Sequence, residues 1–474
     1  MADNPHAFTS YGWIVCLWVL IVSFQYGYHI SSLNQIQAVL TCRAHGDADE
    51  TFAQDIPRHY GLPTCISMSD ATFSVVTAVY TVGGFLGSFF AGGVMDRWGR
   101  KGAVRASAIM VIIGSGIMGI ASSLSPLIFG RVLVGVGAGV GLCVGPIFLA
   151  EIAPTRIQGA VGVLTQFAIV IGIMITQAMG LQLATPYHWR LVLLFSAALS
   201  AFQFLLSPLM VESPTWLHRH GLLQDKAAAA RKLWGIGNAS SVDIPSEGSR
   251  DPLLGNDEED PEDQGKAPEE HQAAISLPQL LTAPELRKPL IIVCFSMLCQ
   301  QLSGVNAVLY YSNDILSKAL PDLGPYISLG ITIVNVIMTF PPIFLIERLG
   351  RKTLLALSAT GALLSLVGVG YGLDSGLVAV ASVTILTFVA SFAIGIGPVP
   401  FVMIPEVSPL HAVSALSSVG LSLNWVANFL VGLVFLPLRN LLAQGDSMKE
   451  GRIFYLFAAM LAFCTVVLFK FYRG

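Results

Sequence analysis

Hydrophobic positions along this chain gather into runs separated by short polar stretches, and each run is near the ~20 residues that a helix needs to cross a bilayer. The pattern predicts spans near 12–34, 72–94, 103–123, 127–150, 160–183 and 190–210. A second set follows near 289–312, 325–346, 354–373, 379–404, 414–437 and 453–471, making twelve spans, six on each side of one long polar insert. The first run lacks a small-residue cleavage site and continues into polar, helix-compatible sequence. It therefore reads as an uncleaved span and not as a signal peptide.

Composition agrees with this pattern. Of 474 residues 54% are hydrophobic and only 12% charged, where a soluble domain carries about 25% charged residues. The expected fold class is an all-α membrane protein. A net charge of -3 gives no nucleic-acid signal. No cofactor is implied, and no cysteine spacing suits a metal. Cys16, Cys143, Cys294, Cys299 and Cys464 fall within spans and read as small hydrophobes. Cys42 and Cys65 flank the polar loop after the first span. If that loop is extracytoplasmic they can pair, and two reduced thiols are the alternative.

Basic residues favour loops of one parity. DRWGRK (96–101) with Arg105 fills the second loop and ERLGRK (347–352) the eighth. The positive-inside rule places these loops, and with them both termini, in the cytoplasm. Arg43, Arg58 and Lys318 dilute the bias on the other side. The two GRK motifs occupy equivalent places in the two halves, as do EIAP (151–154) and EVSP (406–409). Two echoes at nearly one offset indicate duplicated halves, an architecture in which two bundles rock around a central site. The domain reading is a cytoplasmic segment 1–11, a bundle 12–210, a cytoplasmic loop 211–288, a bundle 289–471 and a tail 472–474. Within the loop, residues 235–275 are acidic, rich in Gly, Pro and Ser, and expected to be disordered. Short amphipathic helices are expected at 213–234 and 276–288. Asn238 heads a glycosylation sequon that should stay bare on this side, and Leu253-Leu254 reads as incidental.

Polar residues inside the spans are mostly amides: Gln166, Gln177, Gln300, Gln301, Asn306, Asn335, Asn424 and Asn428. A carboxamide both donates and accepts, which suits a neutral polyhydroxylated ligand. The plainer alternative is that such amides hold helices together. On one helix, Gln300, Gln301 and Asn306 converge on a cavity only if that helix is broken, and Gly304 supplies the weak point. Phe392, Phe401 and Trp425 can lie against a sugar's apolar face, although a single aromatic is more often packing. GIGPVPF (395–401) carries two prolines mid-span and is a candidate hinge or cavity wall. The glycines of GVGAGVG (135–141) and GGFLGSFFAGG (83–93) read as close helix packing and not as a nucleotide loop. Charges at span ends comprise Asp96, Arg97, Arg100, Glu151, Arg156, Glu212, Glu347, Arg351 and Glu406. Solvated loop charge is the bland reading; their symmetric placement points to an intracellular gate of salt bridges between helix ends. His29 is an ionisable group inside a span, which is rare and usually has a function.

These residues resemble the sugar porter branch of the major facilitator superfamily, nearest to facilitative hexose transporters and fungal relatives. DRWGRK, Gly130-Arg131, VESPTWL (211–217), QQLSGVNAVLYYS (300–312), ERLGRK and GPVPF carry the resemblance, which spans nearly all of the chain except the acidic insert. It implies the major facilitator fold, twelve transmembrane helices in two pseudo-symmetric six-helix bundles. The chain is expected to function as a monomer in a plasma, vacuolar or endosomal membrane. It implies a sugar held by Gln166, Gln300, Gln301, Asn306, Asn335 and Asn424, with apolar contacts from Ile169 and Ile173 and an aromatic at Trp425. It matches Glu151, Arg156, Glu212, Arg351 and Glu406 to the gate.

The chain departs from the family pattern at Ala393, where a glutamate is usual, at Phe401, where a tryptophan is usual, and near Val413, where an arginine is expected. By the same resemblance His29 falls where proton-coupled members carry aspartate and facilitators asparagine, facing Arg131. Burial and a neighbouring cation both favour a neutral imidazole, which behaves more like asparagine. The expectation is facilitative uniport of a hexose, with proton symport through His29 as the rival. A non-transporting sensor of the same fold is a third reading, disfavoured by the few residues after 471.

Overall fold

The computed structural model describes residues 8–42, 57–235, 275–306, 308–309, 326–444 and 449–472. Most of the acidic insert, with Asn238 and Leu253-Leu254, lies outside the described residues, as do Arg43, Lys318 and Tyr310 onward in QQLSGVNAVLYYS. The first half contains α1 (Ser10–Leu40), a two-stranded hairpin of β1 (Arg58–His59) and β2 (Leu62–Pro63), α2 (Asp70–Gly119), α3 (Leu124–Ile152), α4 (Gln158–Leu183) and α5 (Trp189–Leu206). Two short helices, α6 (Pro214–Arg219) and α7 (Leu223–Trp234), precede the insert, and α8 (Leu277–Thr282) follows it. The second half contains α9 (Arg287–Leu302), α10 (Ile327–Thr339), α11 (Pro341–Leu349), α12 (Arg351–Asp374), α13 (Val378–Ile394), α14 (Val399–Val407), α15 (Val413–Ala443) and α16 (Arg452–Phe471).

Among the described residues ten helical stretches are long and apolar enough to cross a membrane. One of them, Thr72–Gly119, runs for 48 residues and breaks at Gly99 (φ 75°, ψ 179°), where two predicted spans join without a loop. The seventh predicted span begins as α9, 16 residues long, and turns at Ser303 and Gly304 (φ 73°) before helix resumes. Among the described residues the fold is all-helical apart from the small hairpin.

The glycine of each GRK motif explains why the motif recurs. Gly99 and Gly350 adopt φ 75° and 78° with ψ 179° and 159°, a region essentially closed to residues with a Cβ. A Cβ on Gly99 would also overlap the Glu212 carboxylate. Each motif therefore turns the chain sharply from one span into the next and points its arginine back into the bundle. Elsewhere helix breaks follow proline: Pro341-Pro342 separates α10 from α11, and Pro398 opens α14.

Span one is laced to span six along its length. Trp18 Nε1 donates to the Gln203 carbonyl and Gln203 Nε2 to the Trp18 carbonyl, each at 2.8 Å. Tyr28 Oη donates to the Val192 carbonyl at 2.6 Å. At the end remote from the GRK motifs, a Cys42–Cys65 disulfide joins α1 to the hairpin segment. Trp189 Nε1 and Arg190 then hold that segment through the Thr64 and Pro63 carbonyls at 2.7 and 2.8 Å.

Candidate functional site

The amides meet where helix is missing. Span ten stops at Ile394 and restarts at Val399, and the turn between them exposes backbone carbonyls mid-bundle. Gln300 Nε2 donates to the Gly397 carbonyl at 2.9 Å. A Cβ on Gly397 would sit 3.3 Å from Gln166 Nε2 and 3.1 Å from the Phe392 ring. One turn therefore carries Gln300 of its own half and touches Gln166 of the other. Gln301 follows beside them: Asn306 Nδ2 donates to Gln301 Oε1 at 3.3 Å and to Asn428 Oδ1 at 3.1 Å. Phe388 and Phe392 stack at 6.3 Å on the same span.

On spans five and eleven, which also carry Gln166 and Asn428, four buried polar atoms have no hydrogen-bond partner: Thr165 Oγ1, Ser422 Oγ, Asn424 Oδ1 and Trp425 Nε1. Buried polar groups are nearly always paired, so donors and acceptors left over on these spans suit a ligand that offers both. Not every expected residue joins them. Asn335 is half-buried and its carbonyl accepts from Thr339 one turn away at 2.7 Å. Phe401 and Ile169 are buried in the apolar core, while Ile173 is half-buried.

His29 is fully buried, and its surroundings define its tautomer. Gln25 Nε2 donates to the Ser196 carbonyl at 3.0 Å and to Ser200 Oγ at 2.9 Å, which fixes the amide orientation. Gln25 Oε1 therefore takes the single Ser196 hydroxyl proton, at 2.7 Å. Ser196 Oγ must then accept from His29 Nε2, 2.6 Å away, so that nitrogen carries a proton. His29 Nδ1 is left buried without a partner. Arg131 does not meet the imidazole through a charge. Its Nη1 donates to the His29 main-chain carbonyl at 2.9 Å, and its guanidinium carbon lies 4.6 Å from the centre of the Tyr80 ring. Among the described residues no carboxylate pairs with it.

The charged end holds two copies of one arrangement. Arg100 grips Glu151 with Nε and Nη2, both at 2.9 Å, and Ser213 Oγ adds a 2.5 Å bond to the same carboxylate. Glu212 accepts from the main-chain nitrogens of Arg100, Lys101 and Ser213 at 2.9, 3.0 and 2.8 Å. Burial pushes the Glu212 carboxyl above its ordinary pKa, against the opposing pull of those amides and of Arg100. In the second half Arg351 binds Glu406 at 2.6 Å and Glu347 at 3.0 Å.

These ion pairs join the ends of different helices, and each lies within one half. What crosses the interface is different. Glu347 Oε1 accepts from the Gly159 and Ala160 amides at 2.7 and 3.2 Å, capping the start of α4. Ser414 Oγ donates to Asp96 Oδ1 at 2.8 Å, and Arg219 donates to the Leu410 carbonyl at 3.1 Å. Gly92 N donates to Ser418 Oγ at 2.8 Å. Arg97 and Arg156 are exposed and make no ion pair among the described residues. The structure thus closes the two halves over each other at the GRK end.

Two duplicated helical bundles, ligand-type amides at a broken span between them and a latched charged end define a membrane transporter and not an enzyme. Residues 15–473 match the family described as Sugar (and other) transporter, and the chain belongs to it, with the major facilitator fold. A probable metabolite transport protein of Saccharomyces cerevisiae is 34% identical over 460 residues, covering 94% of this chain and 89% of the relative. The facilitated glucose transporter member 3 of Oryctolagus cuniculus is 33% identical over 430 residues, covering 88% and 81%. Among solved structures, a proton:xylose symporter bound to 6-bromo-6-deoxy-D-glucose superposes with a TM-score of 0.76 at 19% identity, covering 98% of this chain and 96% of that one. Against an inward-open form of the Escherichia coli xylose transporter the score is 0.61 at 18% identity, covering 97% and 96%.

Three contributors are not evident from sequence. Gln25 and Ser196 fix the His29 ring from two different spans, and Tyr80 faces Arg131. Gln25 lies four residues before His29, one helical turn away, and that spacing is the one signal that could have marked it.

Proposed function

We propose that the protein moves a monosaccharide of the hexose class across its membrane by alternating access, as a facilitative uniporter. The observation that carries this reading is the meeting of Gln166 and Gln300, one from each half, at the Gly397 turn. A neutral polyol placed there satisfies amides of both bundles at once, so its binding favours their closing around it. A few such bonds at about 0.5–1.5 kcal/mol net each, less association costs, correspond to weak binding of roughly -4 kcal/mol, in the millimolar range. Weak binding lets the ligand leave on the far side.

Uniport is supported by the His29 network. With Nε2 donating to Ser196 and Arg131 on the main-chain carbonyl, neither group needs to gain or lose a proton for the site to be satisfied. The rival, proton symport, draws on the unpartnered Nδ1, which has a lone pair to offer. A proton there would place a second cation beside Arg131 in a buried site, which is costly. We further place the GRK end in the cytoplasm. Its basic loops agree with the positive-inside rule, and the Cys42–Cys65 pair at the opposite end suits an oxidising side.

Counterflow of labelled hexoses in proteoliposomes tests both points. Equilibrative flux indifferent to an imposed proton gradient is expected; accumulation that collapses with a protonophore would replace uniport by symport. Normal binding and transport in Gln301→Ala or Asn306→Ala would defeat the site assignment.

A further inference from the structure

Arg131 is buried to 1% exposure, yet among the described residues its polar partner is one main-chain carbonyl, with Nε left without a bond. The remaining compensation for its charge is the face of Tyr80, 4.6 Å from the guanidinium carbon. The same Tyr80 ring has a second neighbour. It packs in a T-shaped pair with the Trp425 indole of the other half, centroid to centroid 5.4 Å at 79°. Tyr26, whose carbonyl accepts the Tyr80 hydroxyl at 3.3 Å, meets that indole from another side at 5.4 Å and 90°. One turn along α2 from Tyr80, Gly84 presents no side chain, and a Cβ there would overlap the indole. Trp425 is therefore seated in a notch of the opposite half, walled by two tyrosines, with its buried Nε1–H bonded to nothing.

We propose that Tyr80 is a positioning residue. It is held on one face by Arg131, and its T-shaped contact holds the Trp425 indole so that the free N–H and ring face meet the substrate. Edge-to-face packing pairs one ring's positive rim with its neighbour's negative face, so a cation that fixes the Tyr80 ring also fixes the ring against which the indole is seated. A cation buried in one half thereby sets ligand affinity at a contact that belongs to the other. This rests on the sugar-transport reading for its ligand, but not for the seat itself.

The test uses the full chain in proteoliposomes and in detergent. Tyr80→Phe keeps the ring and should leave the KM for hexose counterflow within about twofold of wild type. Tyr80→Leu should raise KM about tenfold, equivalent to about 1.4 kcal/mol, with the maximal rate changed far less. In a Trp425→Phe background Tyr80→Leu should add no further rise, the signature of two residues acting through one contact. Should Tyr80→Leu not fold, Tyr80→Met keeps bulk without the ring and carries the same expectation. A KM that stays put, or an equal rise with and without Trp425, overturns the proposal.

A separate readout needs no substrate. The emission lost in Trp425→Phe isolates this indole, and acrylamide should quench it more readily in Tyr80→Leu. If wild type moves no hexose, the transport reading fails, and unchanged quenching would then overturn the seat independently.

Discussion

The two GRK ends are copies that have settled into different work. In the first half the Arg100 and Glu151 side chains are 1% and 3% exposed. The arginine makes a two-pronged bond, and Ser213 closes the remaining side of the carboxylate. In the second half the Arg351 and Glu406 side chains are 19% and 11% exposed, and Glu347 is 29% exposed. The first acid of the motif divides them as well. Asp96 approaches Arg100 only at 4.0 Å and takes a serine hydroxyl from across the interface. Glu347 binds Arg351 closely and still reaches across to the start of α4. Both copies clamp their own bundle and both reach across the interface, the sealed copy with one hydroxyl bond at Asp96 and the wetter copy with two main-chain amides at Glu347. Duplication thus supplied one tight clamp with a light latch and one looser clamp with a stronger latch.

This contrast breaks first, and most heavily, at Arg100. Arg100→Ala leaves Glu151 charged in a buried site and should destabilise the protein by about 3–5 kcal/mol. Arg351→Ala removes a pair that water partly screens, and about 1–2 kcal/mol is expected. Thermal unfolding of the two variants in one detergent checks the order. Equal losses would mean that the two ends are still equivalent and that the difference in exposure does not matter.

Much of this was legible beforehand, and the reasons divide cleanly. Spans follow from apolar length, and the GRK repeat follows from a backbone angle that only glycine adopts at Gly99 and Gly350. The absence of a loop at Gly99 was not legible, because hydropathy dips at DRWGRK whether the chain turns at one glycine or wanders through several residues. Partners were the weakest inference. Charges at helix ends announce ion pairs, but whether Arg100 turns to Glu151 in its own half or to an acid in the other depends on packing between distant spans. The amides stood out because polar groups are scarce in lipid. Tyr80 did not, since an aromatic among apolar residues carries no mark of the cation stacked on it.

The latch is the next point of attack. Glu347→Ala removes the acceptor of two hydrogen bonds from main-chain amides at the start of α4, a loss of about 1 kcal/mol that corresponds to roughly fivefold in population. The shift should favour the state in which the GRK end is open. Cys143 reports it: this thiol is fully buried between Ser88 and Ser417, at the junction of the halves. Its alkylation should quicken about fivefold in Glu347→Ala membranes relative to wild type, with Cys143→Ala as the blank. An unchanged rate would show that Glu347 serves Arg351 alone, as an ordinary ion-pair member.

The smallest effect is expected from the other copy. Ser414→Ala takes away the hydroxyl that reaches Asp96 across the interface, one neutral donor to a carboxylate that is 24% exposed. A loss near about 0.5 kcal/mol, roughly a twofold rise in Cys143 alkylation, is the scale for one partly hydrated bond. Its value lies in combination with Glu347→Ala. The two bonds sit on different spans and share no partner, so their free energies should add and their effects on alkylation should multiply, to roughly tenfold. Multiplication is what a single rocking step between two rigid halves requires, because both bonds then break in the same event. If the double variant instead labels no faster than Glu347→Ala alone, the Asp96 contact opens on its own. The first copy would then have no share in the latch.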